Sequence, residues 1–359
     1  MIYFTQVKRR AFVLGLTALS VGAAFSPFRP QQVTANPSST LLAQGRTVSL
    51  IGAGASFPAP LYTQWFSEYN RVKPNIQISY QSVGSGAGVK QFSAGTVDFG
   101  ASDVAMTDQE MAKVSKGVVL LPMTAGSIVL AYNVPGVRSL KLSRQAYSGI
   151  FLGKIRKWND PAITKLNPGV RFPNLPIQVI HRSDGSGTTA VFTKHLSAIS
   201  SAWRSSPGEG KSVQWPVGAG AKGNEGVTAQ IQQARGSIGY VEYAYAKNNN
   251  LPTAALQNKS GKYVEGNLKN AAASLASIKL PGNLRAFVAD PGGSNSYPIV
   301  TYSWILAYKN YGNPTKAKAL KDAMKWGLTQ GQKNAAQLGY IPLPQNVVAK
   351  VRLAIDTIK

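Results

Sequence analysis

From residue 47 onward two kinds of apolar pattern alternate along the chain. Short runs rich in β-branched residues ("TVSLIGAG", "IQISYQSVG", "VDFGASD") are each followed by a run with helical character ("APLYTQWFSEYNRV", "GVKQFSAG", "TDQEMAKV"). This alternation predicts βαβ units and parallel strands, since a crossover helix must cover the sheet between successive strands. Thr107 with Glu110 three residues on reads as a capping box, and Pro58 and Pro60 suit a helix opening, where a missing N–H costs nothing. Near the end, Val347, Val348, Val351 and Ile355 fall at helical spacing and predict an amphipathic helix docked on its own lobe. The middle of the chain is richer in turns. There the strand-like "IQVI" passes into the helix-like "AVFTKHL" through "HRSDGSGTT".

That junction resembles two others. "GAGASFPAP" (52–60), "SVGSGAGVK" (82–90) and "SDGSGTTAVF" (183–192) are each a glycine-rich turn carrying a hydroxyl into the start of a predicted helix. Glycine lets backbone approach a ligand, and the first N–H groups of a helix are unpaired and partly positive, so such a turn can cradle an anion. Ser56, Ser85, Ser186 and Thr188 can add hydroxyl donors and Arg182 a two-pronged charged one. A single such turn reads better as an ordinary capped helix start. Three on one chain, one beside an arginine, favour a shared oxyanion site.

Composition adjusts this picture at three points. With 359 residues, 44% of them hydrophobic, the chain can fill about two domains. The N-terminal order of "VKRR", an apolar run of fifteen residues and then small residues predicts a cleaved export signal within residues 1–45. The alternative is a retained membrane anchor, for which the run is short of the ~20 residues a spanning helix needs. Arg9 and Arg10 leave both the general and the twin-arginine export route open. There is no cysteine, which excludes disulfides, thiolate zinc sites and a lipid-bearing cysteine. Without residues 1–45 the chain carries 35 basic and 14 acidic residues, a net +21, but the basic residues are dispersed. A cationic surface that draws in anions accounts for them better than a nucleic-acid interface does.

The segments "GAGASFPAPLYTQW", "GSGAGVKQFSAGTVDFGASD", "FLGKIRKWNDPAITKLNPG", "RSDGSGTTAVFT", "WPVGAGAKGNEGV" and "GSIGYVEYAYAKNNNL" resemble the periplasmic phosphate-binding protein of the high-affinity phosphate ABC transporter. The resemblance runs from about residue 48 to the C-terminus and is weakest across 253–298. It implies an α/β, two-lobed periplasmic binding protein of type II, each lobe a mixed or parallel sheet flanked by helices. The chain would cross the hinge twice, with residues 47–127 and 299–359 in one lobe and 128–298 in the other. Inorganic phosphate would lie between the lobes, bound by Ser56, Phe57, Ser85, Asp103, Arg182, Ser186, Gly187 and Thr188. Phe57 and Gly187 would donate through backbone N–H groups, Asp103 would accept, and Asp184 would orient Arg182. The pattern departs at Gly86, where the family carries a second serine. The resemblance further implies a monomer without cofactor or metal, delivering phosphate to a membrane permease or, alternatively, buffering it as an exported protein.

An enzyme is disfavoured. Ser186 would need His181 or His195 as its base, and "DGSG" is not a nucleophile elbow. The acids and two histidines show no metal-ligand spacing either.

Overall fold

The computed structural model describes residues 47–286 and 288–359; the predicted export segment lies outside them. The strands are β1 (Val48–Gly54), β2 (Ile76–Ser82), β3 (Phe99–Ser102), β4 (Val118–Asn133), β5 (Lys141–Leu142), β6 (Gln178–Arg182), β7 (Ala219–Ala221), β8 (Ser237–Glu242), β9 (Ala255–Gln257), β10 (Tyr263–Val264) and β11 (Val300–Tyr308). Eight of them form one sheet in the order β2-β1-β3-β11-β4-β8-β6-β7, and β10-β9-β5 form a small separate sheet.

The outer strands follow the βαβ expectation: β1 runs parallel to β2 and β3, and β6 runs parallel to β7 and β8. The centre is antiparallel, with β11 beside β3 and β4, and β4 beside β8. Strand β4 changes partner along its length. Its residues 118–127 pair with β11, and from Ile128 onward it pairs with β8 instead. The returning chain runs alongside, where the Ile128 N–H donates to the Ile299 carbonyl at 2.9 Å. Nearly every residue of β4 is buried, as expected of a strand covered on both faces, so it shows no two-residue alternation. Pro122 cannot donate to the ladder, and the register with β11 shifts beside it, between Ser303 and Trp304.

The helices follow their apolar spacing. Ala59–Val72 buries Leu61, Tyr62, Trp65, Phe66 and Tyr69, and Gln345–Asp356 buries Val347, Val348, Val351 and Ile355. Thr107 and Glu110 form a capping box on the short helix Asp108–Ala112. The turns that leave β1, β2, β3 and β6 come together, and the site is built there.

Candidate functional site

The turn after β1 brings Ser56 and Phe57 to the groove. Phe57 buries its whole ring, which packs on Tyr340 and covers Gly126, so only its backbone can face a ligand. The Ser56 hydroxyl accepts from Asn224 of the other lobe twice, from Nδ2 at 2.8 Å and from the backbone N–H at 3.0 Å. After β2, Gly84 takes a positive φ of 86° and Ser85 opens the helix Ser85–Ser93, which has no side-chain cap. Its first N–H groups therefore have no partner within the helix. Ser85 Oγ accepts from the Asp103 N–H at 3.2 Å.

Asp103 follows β3 and is buried. Its Oδ1 accepts from Ser303 Oγ at 2.9 Å and its Oδ2 from Thr188 Oγ1 at 3.3 Å. Burial pushes its pKa up to about 7, against the lowering effects of Ser303, of the Arg182 charge and of Thr188. Near neutral pH this group can therefore carry or release a proton.

The other lobe supplies its groups from one continuous segment. β6 ends on Arg182, whose guanidinium is clamped by Asp184: Nε donates to Oδ1 at 2.7 Å and Nη2 to Oδ2 at 2.6 Å. Burial works against the charge of Arg182, but the Asp184 hydrogen bonds and charge outweigh it and raise the guanidinium pKa. Asp184 is lowered in turn, burial opposing and Arg182 prevailing, so both partners stay ionised. Nη1 lies 3.4 Å from Thr188 Oγ1, on the side away from Asp184. Ser186 caps the helix Gly187–Ile199 by accepting from the Thr189 N–H at 3.0 Å, which leaves its hydroxyl hydrogen to donate elsewhere. Gly187 and Thr188 occupy the first turn of that helix, where backbone N–H groups lack helical partners.

These pieces meet. A Cβ on Gly187 would collide with Ser85 Oγ and the Asp103 side chain, so this glycine allows the two lobes to close on each other. At Gly86, where the family resemblance predicts a serine, the backbone N–H donates to the Gly185 carbonyl at 2.7 Å. A Cβ there would stand 3.1 Å from Gly185 Cα, closer than ordinary packing allows. Ser56, Ser85, Asp103, Arg182, Asp184 and Thr188 are thus joined in one hydrogen-bonded cluster through Asn224, with Ser303 on Asp103 and Gly187 packed against Ser85 and Asp103. A cavity of about 380 Å³ lined by Asp103, Val104, Ala190, Lys211 and Trp304 opens beside it.

Sequence reasoning missed three contributors. Asn224 opens the helix Gly223–Gln233 from a glycine-rich turn like the other three, and it went unselected because that turn has no hydroxyl. Ser303 sits inside β11 with no local signal. Tyr240 lies inside β8 with no local signal of a polar role. It does stack on Phe192 and Trp215, with centroids at 4.5 and 5.5 Å, but its hydroxyl also accepts from the Arg182 N–H at 3.0 Å. Neither histidine reaches Ser186. His195 Nε2 lies 2.8 Å from the Tyr147 hydroxyl, with its pKa depressed to about 3 by burial, and His181 stacks on Trp215 with centroids 4.9 Å apart.

The arrangement gathers hydroxyl and N–H donors, one clamped guanidinium and one protonatable carboxylate, which suits a small oxyanion that still carries a proton. The PBP superfamily domain matches residues 39–329. Phosphate-binding protein PstS of Pasteurella multocida is 44% identical over 316 residues, spanning 87% of this chain and 90% of that protein. Its counterpart in Haemophilus influenzae is 45% identical over 308 residues, 85% and 91% of the two chains. Among solved structures, the phosphate binding protein of Stenotrophomonas maltophilia superposes with a TM-score of 0.69 over 86% of this chain and 94% of its own, at 21% identity. With identity of this extent over nearly the whole length of those relatives, the chain belongs to the PstS family of phosphate-binding proteins within the PBP superfamily.

Proposed function

We propose that the chain binds inorganic phosphate in the groove between its lobes and hands it to the membrane permease of a phosphate ABC transporter, acting as a monomer exported to the periplasm and not as an enzyme. The observation that carries this reading is the pairing of many donors with a single acceptor, Asp103, poised near neutrality. Ser56, Ser85 and Ser186 donate through hydroxyls and Phe57, Gly187 and Thr188 through N–H groups, while the Thr188 hydroxyl, which donates to Asp103, holds that carboxylate in place. Arg182 donates from Nη1, and Asp103 accepts the proton that phosphate retains at neutral pH. Asp184 holds the guanidinium. The lobe boundaries are taken at 127/128 and 298/299, a division supported by the change of partner along β4.

Calorimetry on protein stripped of ligand tests this reading. Phosphate binds saturably, sulfate about 10⁴-fold more weakly because it has no proton for Asp103, and small-angle scattering shows compaction with phosphate alone. Equal binding of sulfate and phosphate, or no binding of either, overturns it.

A further inference from the structure

Asn224 is fully buried at the point where the two lobes meet, and every polar atom it has is committed. Its Oδ1 accepts from the Glu242 N–H, at the end of β8, at 2.9 Å. A backbone N–H can only donate, so this bond fixes which end of the amide is oxygen and points Nδ2 into the groove. From there Nδ2 donates to Ser56 Oγ at 2.8 Å in one lobe and to Thr188 Oγ1 at 3.2 Å in the other. The Asn224 N–H, spared by its place in the first helical turn, adds a second bond to Ser56 Oγ at 3.0 Å.

A serine hydroxyl has two lone pairs and one hydrogen. Asn224 fills both lone pairs of Ser56, so the hydroxyl hydrogen has to be given to a third group. We propose that Asn224 is a positioning residue of the groove: anchored within its own lobe by the bond to Thr188, it holds the lobes together through its two bonds to Ser56 and commits the Ser56 hydroxyl as a donor to the bound oxyanion. This rests on the phosphate reading above and adds to it a residue that need not touch the ligand. A free hydroxyl rotates and can turn a lone pair toward an anion's oxygen, whereas one bonded twice by Asn224 cannot without breaking buried hydrogen bonds.

The substitutions distinguish this role from simple packing. Asn224→Ala removes the Nδ2 bonds and leaves the Glu242 N–H unpaired; phosphate affinity falls about 10- to 100-fold, mainly through faster release. Asn224→Asp keeps the shape and the bond to Glu242 but sets an oxygen against Ser56 Oγ. The hydroxyl then turns to donate to the new carboxylate and is lost to phosphate, so this near-isosteric change is the more damaging of the two.

A double-mutant cycle with Ser56→Ala supplies the test, with stopped-flow release rates and calorimetric affinities for phosphate, and with ligand-free melting recorded to establish folding. In the Ser56→Ala background, either change at Asn224 costs markedly less than in the parent, the remainder reflecting the bond to Thr188. If Asn224→Ala does not fold, the near-isosteric Asn224→Asp completes the cycle. Loss by the same factor in both backgrounds, or a release rate that does not change, overturns the proposal and leaves the phosphate reading standing. If Ser56→Ala and Arg182→Ala each leave phosphate affinity untouched, the phosphate reading itself falls and this proposal falls with it.

Discussion

The two faces of the groove are built differently. The face carrying Arg182, Ser186, Gly187 and Thr188 comes from one strand, one turn and one helix, so a handful of neighbouring residues fixes its geometry. Its cation is already clamped by Asp184 at 2.6–2.7 Å. The face carrying Ser56, Phe57, Ser85 and Asp103 is assembled from three separate connections, after β1, β2 and β3, and has no cation among these groups. What it has is a carboxylate whose pKa burial raises to about 7. The contrast suggests a division of labour, in which the first face attracts any small oxyanion and the second sorts oxyanions by whether they bring a proton.

The largest effect is expected where that division is most exposed. Asp103→Asn replaces an obligatory acceptor with a group that can also donate, so a sulfate oxygen is no longer set against a lone pair. A buried polar partner left unpaired can reject an analogue by ~10⁴-fold, and the variant should lose most of a discrimination of that order while still binding phosphate. Competition calorimetry with both anions measures the ratio. A ratio equal to the parent's removes Asp103 from the sorting role.

Arg182→Ala should act on the opposite side of the comparison. Removing the guanidinium leaves the half-buried Asp184 with only its bond from the Gly223 N–H and takes Nη1 from the ligand. Affinity is expected to fall by ~2–5 kcal/mol, the range for truncating one member of a buried charged pair. Phosphate and sulfate should weaken together, leaving their ratio almost unchanged. A large change in the ratio would mean that the charged face also discriminates.

How much of this was legible in the sequence follows the same division. Arg182, Asp184, Ser186, Gly187 and Thr188 lie within seven consecutive residues, so their proximity is written in the chain, and Ser186 could be read as both cap and donor. The alternating outer strands and the capping box at Thr107 and Glu110 were equally local. The antiparallel centre was not, because β11 enters beside β4 from almost 170 residues away and no short-range pattern encodes that pairing. Ser303 was invisible for the same reason, since it owes its role to Asp103, far away in the chain, whereas Asn224 sits in a glycine-rich turn that lacked the hydroxyl marking the other three. Gly86 was legible as a departure from the family pattern. That its N–H spans the groove to Gly185 required the folded chain.

The two faces should also answer pH with opposite sign. For Asp103 the folded protein favours the protonated form, so stability declines as pH rises from its ordinary value of 3.8 through about 7 and is flat above that. For Asp184 the folded protein favours the ionised form. Its stabilising contribution is present above the ordinary carboxylate pKa and is lost as pH falls through its lowered folded value. Glu242 is also raised by burial and slopes the same way as Asp103, so differences between variants are the useful quantity. In ligand-free protein melted across pH 4–8, Asp103→Asn should lose less stability than the parent as pH rises. If the two curves are parallel, the raised pKa of Asp103 is not expressed in the folded protein.

The smallest effect is expected at the rim, where the two faces are tied by a salt bridge. Lys211 Nζ reaches Glu110 Oε1 across the groove at 2.9 Å, while the Lys211 carbonyl accepts from the Ser186 N–H at 2.8 Å. The same residue therefore touches the charged face through its backbone and the opposite lobe through its side chain. Glu110 is held in turn by Thr107; partial burial works against its charge, but the bonds from Lys211 and Thr107 outweigh it and lower its pKa, so its carboxylate is ionised at neutral pH. Both side chains keep about a quarter to a third of their surface in water, 25% and 30%. Exposed pairs of this kind contribute roughly 0–1 kcal/mol. Lys211→Ala preserves the carbonyl and removes only the bridge, so phosphate release should quicken by a small factor, no more than about fivefold on that energy. Ionic strength separates this from the interior. Salt should erase the Lys211 effect, because the bridge sits in solvent, and should leave the Arg182 effect in place, because that pair is enclosed. A release rate in Lys211→Ala that stays fast at high salt would place the bridge inside the energetics of the site, and the contrast between rim and groove would have to be redrawn.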